Sequence, residues 1–104
     1  MTPCERYLRR WYAVYNHRYF NGELPADIDV FFARLRRCGG DCEIDRGGEF
    51  VVRIHYRQKH YRTTKYTLLH EMVHVKLNPY GGHGPRFDEE MLRLAIAGAF
   101  HGLW

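Results

Sequence analysis

Residues 63–77 read Thr63-Thr64-Lys65-Tyr66-Thr67-Leu68-Leu69-His70-Glu71-Met72-Val73-His74-Val75-Lys76-Leu77, followed directly by Asn78-Pro79. Leu68, Leu69, Met72, Val73 and Leu77 recur at helical spacing, Thr63 or Thr64 offers an N-cap, and Asn78-Pro79 supplies the stop. Within this helix lies the pattern His-Glu-x-x-His. Positions i and i+4 share one helix face, so His70 and His74 can point at one metal ion. Glu71, beside the first of them, stands where it can take a proton from water at that metal. The two intervening residues, Met72 and Val73, are apolar, as a helix half sunk in a core requires.

A third histidine follows in Gly81-Gly82-His83-Gly84-Pro85. The glycines permit a tight reversal after the helix, which can bring His83 back to the metal as third ligand and leave a fourth position open for water. The interval of nine residues from His74 differs from the six of metzincins. Among nearby acids, Glu90 is the alternative ligand, although Asp88, Glu89 and Glu90 also read as first-turn charge on a further helix. That helix begins at Pro85, presents Phe87, Met91, Leu94 and Ala95 to the core, and stops at Gly98.

Upstream, Thr2-Pro3-Cys4-Glu5 reads as a capping box, and Leu8, Trp11, Tyr12, Tyr15 and Tyr19 form one amphipathic stripe up to Asn21-Gly22. After Pro25, strands are predicted over Ile28 to Leu35, around Cys42 to Ile44, and from Phe50 to Tyr56, punctuated by Gly39-Gly40 and Gly47-Gly48. The fold class that results is α+β, with three helices packed on a small, mainly antiparallel sheet arranged as a meander. One domain spanning 1–104 is expected.

Composition agrees with a packed domain. The chain has 104 residues, 45% hydrophobic and 27% charged, which excludes a disordered chain. The longest near-continuous apolar run, Leu94 to Phe100, falls far short of the ~18 residues a membrane helix needs. No secretory leader is visible at the N-terminus, and three cysteines argue against a disulfide framework, so an intracellular location, in the cytoplasm or the nucleoid or nucleus, is expected; a monomer is expected as well. Basic residues cluster: residues 51–76 carry six Lys and Arg against one Glu. Arg53, Arg57, Lys59, Arg62 and Lys65 interleave with Tyr56, Tyr61 and Tyr66, a pattern able to follow phosphates of a nucleic acid and stack its bases, or simply a solvated edge. Cys38 and Cys42 form a lone C-x3-C that reads as a turn with one packed cysteine. Tyr66 and Tyr80 are candidate oxyanion donors.

Several segments in order carry a family resemblance. They are Tyr15 to Pro25 (Tyr-Asn-His-Arg-Tyr-Phe-Asn-Gly-Glu-Leu-Pro), Phe31 to Leu35 with Cys38-Gly39-Gly40-Asp41-Cys42, Thr67 to His74, and His83-Gly84-Pro85-Arg86-Phe87. Together they span about residues 7 to 95 and resemble the SprT-like zinc metallopeptidases. The resemblance implies a minimal zincin-like protease domain, one catalytic zinc ion on His70, His74 and His83, and Glu71 as catalytic acid/base. It also implies protein substrates, including proteins crosslinked to DNA. The residues themselves leave two rivals open, a nucleic-acid-binding module with a structural zinc site and a zinc hydrolase of a non-peptide bond. A short chain with a small sheet and no lid-sized insertion should have a shallow cleft, open at both ends, that takes flexible peptide along the edge of the Phe50 to Tyr56 strand.

Overall fold

The computed structural model describes residues 2–35, 39–58, 61–77 and 83–103. Cys38, Lys59, the Arg62 side chain, Tyr80 and the turn at 80–82 lie outside the described residues. The first helix, α1, spans Pro3–Tyr19, and its N-cap Thr2 accepts a hydrogen bond from the Glu5 amide at 3.1 Å. It ends where Asn21 (φ 55°) and Gly22 (φ 70°) turn left-handed and the Gly22 amide returns to the Asn16 carbonyl at 2.8 Å. Asn16 is buried and fixes the exit, since its side-chain amide exchanges two 3.0 Å hydrogen bonds with the Leu24 backbone.

Three strands follow: β1 Asp29–Ala33, β2 Gly40–Ile44 and β3 Phe50–His55. The sheet differs from the expected meander. Its order is β1-β3-β2, with β1 parallel to β3 and β2 antiparallel to β3, so the sheet is mixed. The reason lies in the strands' own residues. β3 contributes Val52 and Ile54, both fully buried, and takes the centre. β2, with Asp41 and Glu43, is the more polar strand and takes an edge. The hairpin joining β2 to β3 is closed by Asp45, whose carboxylate accepts from the amides of Gly47 and Glu49 at 2.8 and 2.9 Å.

A short 3-10 turn, Tyr56–Gln58, leads from β3 toward α2, Tyr61–Leu77. This helix starts three or four residues earlier than the threonine N-cap reading places it. Thr64 lies inside it, buried, with a hydroxyl that has no hydrogen-bond partner among the described residues. Leu68, Leu69, Met72 and Val73 are fully buried, the signature of a helix enclosed on most sides. It packs against α1, β2, β3 and the last helix, α3, Pro85–Ile96. Phe87 and Leu94 of α3 are buried and Met91 is partly so, but Ala95 points outward. Glu90 takes the inward position instead. Its carboxylate is held by Arg93 at 2.5 Å and by Lys76 of α2 at 3.0 Å, and Arg93 also donates to the Tyr19 carbonyl at 2.7 Å.

Candidate metal centre

Helical geometry alone brings His70 and His74 together, and the described end of the loop before α3 brings His83 to them. The ring centroids lie 5.2 Å apart for His70 and His74, 5.0 Å for His70 and His83, and 4.9 Å for His74 and His83. Each ring offers one nitrogen such that all three lie within 4.8 Å of one another, a group that could hold a metal ion. The Nε2 atoms of His74 and His83 are 3.0 Å apart. A tetrahedral ion with ~2.0–2.1 Å bonds separates its nitrogens by about 3.3 Å, so small adjustments suit the trio to one ion. Burial, then the charges of His74 and His83, hold the His70 imidazole down to about 4, and burial also lowers His74. Both rings are therefore neutral at pH 7, the form that ligates.

Phe87 supports this trio from α3. Its ring lies 4.9, 4.7 and 4.3 Å from the centroids of His70, His74 and His83. In the sequence it reads only as a core residue, because its second role depends on how α3 docks. Glu90 does not join the cluster; its carboxylate is committed to Arg93 and Lys76.

The imidazoles open into a cleft of about 430 Å³ between α2 and β2, walled by Gly40, Asp41 and Cys42 and by Tyr66, Thr67 and Glu71. Glu71 is 3% exposed, and burial, with a smaller push from Asp41, raises its carboxyl to about 8. Burial, then Glu71, Asp41 and Glu43, push the Cys42 thiol up to about 12, so it stays protonated. A carboxyl pushed up in this way is favoured in its ionised form by a nearby cation. Gly40 makes the close packing possible: a Cβ there would stand 2.7 Å from Thr67 Cγ2, 3.1 Å from the Arg53 carbonyl oxygen and 3.2 Å from Glu71 Oε2. In the sequence Gly39-Gly40 marks only a turn, since the contact is with residues far along the chain.

Tyr66 and Thr67 also border a second hollow of about 390 Å³ with Gln58, Thr63 and Leu103, beside the N-terminal part of α2. β3 has a partner on each side, and the strand edge bordering the cleft is that of β2. This corrects the expectation that a peptide pairs with the Phe50 to Tyr56 strand. The basic set is divided. Arg53 is bound to Asp41 across the β3–β2 pair at 2.8 and 2.5 Å. Lys65 is 4% exposed, with its ammonium 3.5 Å from the Trp11 ring centroid. Arg57 is exposed. Tyr66 lines the cleft and packs on Phe100 at 5.2 Å.

Comparison with known proteins agrees with this arrangement. The profile of the SprT-like family matches residues 8–101. The chain is 33% identical over 97 residues to the DNA-dependent metalloprotease SPRTN of Bos taurus, covering 84% of this chain and 20% of that protein. It is 31% identical over 103 residues to the Homo sapiens protein of the same name, covering 88% of this chain and 21% of the human one. For Danio rerio the figures are 31% over 97 residues, 84% and 15%. The chain thus spans about a fifth or less of the length of these curated relatives. Among the described residues no helix is long and apolar enough to cross a membrane.

Proposed function

The chain belongs to the SprT-like family, and from that premise we propose that it is a zinc-dependent endopeptidase acting on flexible or unfolded protein. His70, His74 and His83 hold the ion. When bound, zinc supplies a Lewis acid that acidifies water and polarises the scissile carbonyl. Glu71 takes the proton of the attacking water and delivers it to the leaving nitrogen, so that a neutral amine departs. The observation that carries this reading is the convergence of three imidazoles on the same cleft as a buried glutamate that none of the ion pairs among the described residues uses. A purely structural zinc site needs no such carboxylate and commonly closes with a fourth protein ligand; Cys42, the described cysteine at the cleft, is not among the metal-grouped residues.

The cleft's form supports the substrate class. It lies between α2 and β2, and β2 is an edge strand of the described sheet, which offers backbone hydrogen bonds to an extended chain. Specificity then rests on flexibility and proximity of the substrate more than on sequence. The relatives' name, DNA-dependent metalloprotease, supports DNA as a partner of this chain and DNA-associated or crosslinked proteins as its substrates. Digestion of an intrinsically disordered protein by the zinc-loaded chain, with products mapped by mass spectrometry, tests this reading. Cleavage at many sequences, absent after chelation and negligible for a tightly folded domain, is expected. One strict side-chain requirement, or cutting that survives chelation, would contradict it.

A further inference from the structure

Parallel pairing has a consequence for charge. β1 and β3 run side by side with Ala33 opposite His55, so both strands leave the sheet at the same end. There Arg34, just after β1, meets Tyr56 and Arg57, just after β3. The Arg34 guanidinium lies 5.7 Å from the Tyr56 ring centroid. Tyr56 stacks on His55 with centroids 5.2 Å apart and planes at 23°, and the Arg57 amide donates to His55 Nδ1 at 3.1 Å, which fixes the turn. The Arg57 side chain, then the charge of Arg34, hold the Tyr56 phenol below its usual range. Two exposed arginines, one over its ring and one next to it in the chain, thus flank Tyr56. Neither has a carboxylate partner among the described residues, whereas Arg9, Arg53 and Arg93 each have one. Like charges brought together without a counter-ion are costly unless an anion joins them.

We propose that Arg34, Tyr56 and Arg57 form a seat for the phosphates of a nucleic acid strand, at the end of the sheet that adjoins the cleft. The proposal rests on the DNA reading above and gives it a location that neither Arg53 nor Lys65 supplies. The 3-10 turn carries the connection: Gln58, its last residue, accepts a hydrogen bond from Thr67, which lines the cleft one turn before Glu71. A protein held on the same strand is thereby brought to the cleft mouth, which raises its local concentration without a deep pocket. Guanidiniums suit this role because each can bridge two phosphate oxygens.

Binding of a fluorescent oligothymidylate to the full chain, followed by anisotropy across a salt series, tests the seat. Arg34→Gln with Arg57→Gln should weaken binding about tenfold or more and reduce the salt slope by about 1.4, since each lost phosphate contact on a single strand removes about 0.7. Arg46→Gln, which removes an exposed charge from the hairpin at the opposite end of the sheet, should change little. Unchanged affinity and slope in the double variant, an equal loss in Arg46→Gln, or no binding by the wild type would overturn the proposal. Displacement of the oligonucleotide by millimolar inorganic phosphate at constant ionic strength would overturn it in favour of a free-phosphate site. Digestion of disordered protein without DNA separates this from the protease reading, because the double variant should cut as the wild type does. If neither cuts, with or without DNA, while the salt slope falls as expected, the protease reading fails and the phosphate seat stands.

Discussion

At the scale of single residues, the site depends on a glycine as much as on its histidines. Gly40 lets β2 lie against Thr67 and Glu71, and an added methyl meets the Arg53 carbonyl, which belongs to the central strand and cannot swing aside as a side chain does. Gly40→Ala is expected to cost about 1–3 kcal/mol, the range for overpacking. Turnover should fall about tenfold to a hundredfold through displacement of Glu71. Denaturant unfolding beside a digestion assay checks both, and an alanine variant with wild-type turnover would show that the contact does not position the carboxyl. The histidines and Glu71 are legible in the sequence because their juxtaposition is a property of one helix and one nearby turn. Gly40 and Phe87 are not, since what they touch is decided only when β2 and α3 dock on α2.

Among the elements, the junction of α1, α2 and α3 is tied by Glu90 and Arg93. Burial pushes the Glu90 carboxyl up most strongly, but hydrogen bonds from Arg93 and Lys76, then their charges, together outweigh it and hold the group below the usual glutamate range. A folded value below the unfolded one, about 4.3, means that this stabilisation is complete above the unfolded value and is lost as pH falls through the folded one. Glu90→Gln should therefore lower stability at neutral pH by about 2 kcal/mol, with the gap to wild type closing below about pH 4. Urea unfolding at both pH values measures this, and a gap independent of pH would contradict it. The free edge of β2 gives a second test: a substrate peptide N-methylated on the backbone that pairs with this edge should be cut about two- to tenfold more slowly, the effect of one lost hydrogen bond. Equal rates would remove strand pairing from the account. The helices were legible from periodicity, and α1 and α3 from their terminal signals as well, with α1 ending where Asn21-Gly22 predicts; the start of α2 was not, since Tyr61 precedes the threonines read as its N-cap. Strand order was not, because chain order says nothing of which strand holds the most buried residues, and Val52 and Ile54 put β3 in the middle.

For the molecule as a whole, a 104-residue domain gains stability from anything that binds only its folded form. An ion held at about a hundred times its dissociation constant contributes about 2.7 kcal/mol, which for this size moves the melting midpoint by on the order of 10 °C. Chelation should lower the midpoint by that order, and His74→Ala should show no response to chelator; an equal response in the variant would place the ion elsewhere. On the proposed reading an ion at the trio also bears on the buried Glu71, whose carboxyl is pushed up to about 8 in the protein alone, since a neighbouring dication would favour the carboxylate a proton acceptor requires. The measurement that bears most directly on the account is turnover of a disordered protein by Glu71→Gln with its zinc content determined on the same sample. The amide keeps the shape of the side chain but cannot accept the proton, so one zinc per chain with cleavage reduced to background is predicted; one zinc per chain with near wild-type cleavage would contradict it.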